Sequence, residues 1–355
     1  MDYFLKLAFV FSLLVFLGIF TFKFIIAKDL NGIDVINEES VSISDSSSLE
    51  SEPGKVLSED ISVEAVIPSK EESEEEKKSS EEAGTEQEDE EKAKAELSSY
   101  ETYPGEMLVL KVKNVEDGTA ESDICKGINL YPNGSKGLAA LIPIKYDKAP
   151  GDYTVTFKNT NYEETLKFKV LPKEFPRNDI EVEQETAEET VESQKANQEY
   201  SEKVQSLKWQ NESYPMWEGK FKEPVKEYRL TSDFGEIRTV NGKESGRHGG
   251  MDFAAPTGTA VNAPAKGKVL FADFIDLTGN TVMIEHGMGL KTLYYHMDSI
   301  DVKAGGEVEE GDSIGKIGTT GFSTGPHLHF AVAVENIYVN PKSFFENDYR
   351  SYIDK

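Results

Sequence analysis

Hydrophobic and polar positions follow three different patterns along the chain. Residues 4–27 are apolar apart from Lys6, Ser12, Thr21 and Lys23, a run long enough to span a bilayer as a helix if the two lysines reach the interfaces. A cleaved secretory signal has a shorter apolar core followed by small residues, which Ile25-Ile26-Ala27 fits poorly. Residues 1–30 are therefore read as a transmembrane anchor, with a cleaved signal as the alternative. Lysines flank both ends, so orientation stays open. In both readings the chain is exported or membrane-anchored, and the folded part is expected outside the cytoplasm.

The second pattern is period-two alternation between residues 100 and 176. Segments 107–113, 138–144, 153–158 and 165–170 read as strands, separated by turn dipeptides such as Pro104-Gly105, Asn133-Gly134 and Pro150-Gly151. This predicts a small β-sandwich-like module. Residues 177–219 form a polar, partly helical connector. A helix is expected within 187–207, with an apolar stripe too weak for a core element. Trp209, Trp217 and Phe221 follow as a lead-in that packs on the last domain. From 220 to 355 short β-patterns return at 259–261, 267–274, 280–285, 291–296, 313–317 and 327–334, dense in glycine and with no helical period. The fold class is mainly β, with a C-terminal antiparallel β domain.

Charge adds the third pattern. The 355 residues carry a net charge of −27, and residues 38–100 hold 21 acidic side chains against 6 lysines and no arginine. Such a stretch buries too little apolar surface to offset its ordering entropy, so residues 31–99 are expected to form a disordered acidic linker. Like charges would extend it and give the following domains reach from a membrane. No basic patch is present, which argues against a nucleic-acid partner. Cys125 is the sole cysteine; an internal disulfide and a cysteine-rich metal site are excluded, and a buried, inert thiol is expected.

The chemistry is concentrated near the C-terminus. All five histidines, His248, His286, His296, His327 and His329, fall within 82 residues. His327 and His329 flank Leu328 in a predicted strand, so both imidazoles share one face and the leucine turns to the core. His248-Gly-Gly-Met-Asp252 sets an imidazole and a carboxylate four residues apart across two glycines. With His329 these give two nitrogens and one oxygen, the three-ligand set that leaves catalytic zinc an open position for water. A single zinc ion there would acidify water and polarise an amide carbonyl. His296, in Tyr294-Tyr295-His296, and His327 are assigned to acid/base work beside the metal, since imidazole exchanges protons near neutral pH. His286 is read as structural.

The segments His248-x-x-x-Asp252, Tyr294-Tyr295-His296 and Ser323-Thr-Gly-Pro-His-Leu-His-Phe330 resemble the motifs of the lysostaphin-type (M23, LytM-like) zinc metallopeptidases. The similarity extends over 231–345 and includes Thr231-Ser-Asp-Phe-Gly235 with Arg238. Met297 stands where the family usually has leucine, a volume-conserving exchange. The resemblance implies zinc on His248, Asp252 and His329, catalytic assistance from His296 and His327, and hydrolysis of peptide bonds in bacterial cell-wall peptidoglycan. The expected partners are peptidoglycan peptides and, through the N-terminal segment, a membrane. Some family members have lost ligands and act as scaffolds or activators of other wall hydrolases, which sets the alternative function. All five site positions are kept here.

Overall fold

The computed structural model describes residues 92–180, 194–240 and 242–354. The N-terminal apolar run and most of the acidic stretch lie outside these residues. Among the described residues no helix is long and apolar enough to cross a membrane.

Two four-stranded sheets form the module. One contains β1 (Lys94–Leu97), β2 (Met107–Lys113) and β3 (Gly137–Pro143); the other contains β4 (Gly151–Lys158) and β5 (Glu163–Val170). β1 corrects the expected extent of the acidic linker. Lys94 and Glu96 alternate with buried Ala95 and Leu97, and the strand pairs antiparallel with β2. A charge average over the stretch hides that alternation. Glu96 instead bridges Lys94 and Lys113 on the open face.

β2 and β3 are buried on both faces. Leu108, Leu110 and Val112, with Leu138, Ala140 and Ile142, fill the core between the module's sheets. The intervening Met107, Val109, Ala139 and Leu141 turn the other way and join the core of the C-terminal domain. Period two thus serves two cores at once. Asn340 donates its backbone N–H to Gly105 (2.7 Å), and the Asn133 amide donates to the Ile353 carbonyl (2.7 Å). Arg247 lies over the rings of Tyr146 (5.6 Å) and Phe175 (5.2 Å).

The C-terminal domain is built on a long antiparallel sheet. Its path runs β6 (Arg229–Ser232), β8 (Met251–Ala254), β13 (His327–Val334), β11 (Leu290–Ile300), β10 (Gly279–Glu285) and β9 (Gly267–Ile275). β12 (Ser313–Ile317) pairs with the end of β11, and β14 (Ile337–Val339) with the end of β13. β7 (Ile237–Val240) lies in a separate sheet, parallel to Arg177–Ile180. Leu328, Phe330, Val332 and Tyr294 are fully buried on the face of the long sheet away from His327 and His329.

Three α-helices occur among the described residues, α1 (Gln194–Lys203), α2 (Pro341–Glu346) and α3 (Tyr349–Asp354), and a short 3-10 helix at Gln205–Trp209 follows α1. α2 and α3 depart from the expectation of no helix in this domain. Six residues are too few for a helical period to register, but α2 carries a local start signal: Asn340 caps the Lys342 N–H and Pro341 opens the first turn. α1 departs differently, because its Ala196 and Tyr200 are buried, and Tyr200, with Val204 directly after the helix, belongs to the main core.

A buried ion pair closes the back of the domain. Lys291 Nζ sits 2.9 Å from Glu285 Oε2 with both side chains inaccessible, and donates to Asn211 Oδ1 (2.5 Å). Asn211 in turn donates to Glu335, which also accepts from Asn129 and Tyr131 of the module. Module, connector and sheet therefore share one polar network and one apolar core. Leu141→Ala should lower the unfolding free energy by about 2–5 kcal/mol. In denaturant the whole 92–354 unit should shift as one transition; separate melting of the module would refute the shared core.

Candidate metal centre

The site is assembled by strand register. β13 lies between β8 and β11, with His329 opposite Asp252 on one side and Tyr295 on the other. Leu328 and Phe330 alternate with the two histidines and fix the register through the core. His248 precedes β8, held by reciprocal backbone bonds: its N–H to Glu236 O and its carbonyl to Gly235 N, each 2.8 Å.

Three donor atoms converge. His248 Nε2, Asp252 Oδ1 and His329 Nδ1 lie 2.9, 2.9 and 2.8 Å apart in pairs. His248 donates Nδ1–H to the Asp233 carbonyl (2.9 Å), so its Nε2 turns a lone pair to the cluster. Asp252 keeps its second oxygen on Arg238 Nη2 at 2.6 Å. Burial opposes ionisation of Asp252, but His248, His329 and Arg238 outweigh it and hold the carboxyl well below the usual range. Burial pushes His329 down to about 4, so its imidazole is neutral at physiological pH. An anionic oxygen and two imidazole nitrogens facing one point suit a divalent cation of intermediate softness. The residues present fit such an ion.

His296 and His327 stand beside this cluster, outside the set of three. His327 Nε2 is 3.9 Å from Asp252 Oδ1, and the His296 and His327 rings are 4.8 Å apart. Each donates Nδ1–H to a backbone carbonyl, His296 to Thr320 and His327 to Gly325, both at 2.8 Å. Each Nε2 is thereby left for the cleft. Burial, then its histidine neighbours, push His296 down to about 3. His296 also has a left-handed backbone (φ 65°), anchored by its N–H to Thr278 O (2.8 Å). The fifth histidine, His286, is buried apart from the site, bonded to the Lys266 carbonyl and Thr292 hydroxyl (2.8 Å each).

Residues 246–341 match peptidase family M23. The chain belongs to this family through its C-terminal domain. A DD-carboxypeptidase/endopeptidase, Mpg, of Neisseria meningitidis is 41% identical over 121 residues, 34% of this chain and 28% of the relative. The peptidoglycan DD-endopeptidase ShyB of Vibrio cholerae is 46% identical over 89 residues, 25% of this chain and 21% of the relative. The solved catalytic domain of the antimicrobial peptidase lysostaphin from Staphylococcus simulans is 33% identical over 34% of this chain and 93% of its own, with a TM-score of 0.32. The chain spans about a third or less of the length of the curated relatives it matches.

The M23 domain brings all five anticipated residues together. Other contributors had no role assigned from the sequence. Tyr295 stacks on His329 with ring centroids 5.1 Å apart and an interplanar angle of 2°, and Tyr200 reaches Tyr295 from α1. The one sequence signal for Tyr200 is that it is the only aromatic in the polar stretch 178–206. Gly250 is required for packing: a Cβ there would lie 2.3 Å from the Phe330 carbonyl and 2.9 Å from His329 Nε2. Gly250→Ala should weaken divalent-metal uptake at least about tenfold, because misdirected ligand orientation costs affinity on that scale. Competition against a chromophoric chelator measures it, and unchanged affinity would refute the close-approach requirement.

Proposed function

We propose that this protein is a zinc-dependent endopeptidase that hydrolyses peptide bonds in bacterial cell-wall peptidoglycan. The observation that carries the proposal is the convergence of His248, Asp252 and His329 with two further imidazoles directed at the same cleft. His248 and His329 would hold the ion through nitrogen and Asp252 through oxygen. Zinc bound there would supply Lewis acidity toward a carbonyl and acidify water.

The remaining chemistry belongs to the chain. Amide hydrolysis adds water to the carbonyl carbon, breaks the C–N bond and delivers a proton to the departing amine. His296 and His327, with Nδ1–H committed to carbonyls, each present an Nε2 that can take one proton and return it. Two such groups 4.8 Å apart can serve both ends of the scissile bond. Backbone bonds fix both rings and limit reorganisation during the reaction.

The bond class we favour is that of a peptidoglycan DD-endopeptidase, on the names of the relatives. In this proposal residues 1–30 anchor the chain and the acidic stretch lets the folded part work in the envelope, outside the cytoplasm. The competing reading is a silent scaffold or activator of another wall hydrolase. Retention of all five site residues favours the enzyme.

Digestion of purified peptidoglycan by the full chain, with fragments identified by mass spectrometry, decides between them. Chelation should abolish release of cross-linked peptides and zinc should restore it. His327→Ala should lower cleavage by about a hundredfold or more while zinc content is kept. Zinc-loaded parent protein that binds peptidoglycan without cutting it would establish the scaffold instead.

A further inference from the structure

The connector helix reaches the site through one side chain. Tyr200 of α1 is 2% exposed, and its hydroxyl lies 2.7 Å from the Tyr295 hydroxyl and 2.8 Å from that of Tyr338. Tyr295 and Tyr338 are themselves 3.4 Å apart, so three phenols share one buried cluster. Each of the other two backs a different wall of the metal centre. Tyr295 is the register partner of His329 and stacks parallel on its ring. The Tyr338 ring lies against Gly249, where a Cβ would sit 3.5 Å from it, directly beside His248. Tyr200 lies outside the family-matched segment 246–341; Tyr295 and Tyr338 lie within it.

A parallel ring stack leaves a phenol free to slide in its own plane unless its hydroxyl is fixed. The Tyr200 hydroxyl supplies that fixed point, and by bonding both phenols it also sets the spacing of the walls behind His248 and His329. Its burial removes competition from water, which raises the worth of each bond. α1 is held from elsewhere as well: Val204, directly after it, is fully buried in the main core, and Glu199 accepts from the Asp276 N–H at 3.0 Å. The phenol is therefore presented by a docked helix.

Resting on the reading of the site as a zinc centre, we propose that Tyr200 is a positioning residue for it. Through hydroxyls shared with Tyr295 and Tyr338 it fixes the ring plane of His329 and the spacing of the two imidazole ligands. The connector then belongs to the site, and a fragment limited to the family-matched segment carries a looser centre.

The test uses the full chain with Co2+ as the probe, read by chelator competition and by the visible absorption bands of the bound ion. Tyr200→Phe keeps the ring and removes only the hydroxyl; Co2+ affinity should fall about tenfold and the bands should shift, on the scale seen for groups that orient metal ligands. Tyr295→Phe should do the same, and the double variant should be no weaker than either single one, since both break the same link. Leu141→Ala thins the shared core without touching α1 or the phenols and should leave affinity within about twofold of the parent. Parent-like affinity and bands in Tyr200→Phe would overturn the proposal, as would a loss in Leu141→Ala equal to that in Tyr200→Phe. Failure of the parent itself to take up Co2+ would instead overturn the metal-centre reading on which it rests.

Discussion

The register of β13 between β8 and β11 is the constraint on which the site depends. A strand has a side-chain period of two, so a slip of one residue would carry Leu328 and Phe330 into the cleft and both histidines into the core. The core forbids this slip, since those two side chains are wholly buried against Phe253 and Tyr294. Apolar packing thereby sets the positions of polar groups on the opposite face. Asp252, His329 and Tyr295 lie in line across three strands because the residues between them are hydrophobic.

Around that line the protein directs lone pairs with its own backbone. His248, His296 and His327 each give Nδ1–H to a carbonyl, so three rings share one tautomeric arrangement. The carbonyls come from Asp233, Thr320 and Gly325, all in connecting segments. The long sheet supplies direction, and these segments select which nitrogen faces the cleft. Arg238 completes the set by holding the Asp252 oxygen that points away from the imidazoles.

The sequence exposed those features that repeat at a fixed short spacing. Short apolar or alternating runs between turn signals disclosed β2, β3 and β13, and the histidine spacing disclosed the residues the fold brings together. What stayed hidden depends on partners far apart in the chain. Tyr200 meets Tyr295 across 95 positions, and Glu335 meets Asn129 across 206. Nothing local marks either residue for its partner. β1 was obscured because bulk charge was weighed over a stretch where every second residue is apolar. α2 and α3 were obscured by shortness, although Asn340-Pro341 is a start signal in its own right.

The double burial of β2 and β3 has a consequence for how this protein can vary. A module joined by a loop alone can be exchanged, duplicated or lost without harm to its neighbour. Here Met107, Val109, Ala139 and Leu141 are core residues of the domain they precede, so its removal would open an apolar face to water. Substitutions on these two strands answer to two interiors at once, one for odd positions and one for even. The module and the domain after it are therefore bound to change together across the face they share, and a transplant of either would have to carry the other with it.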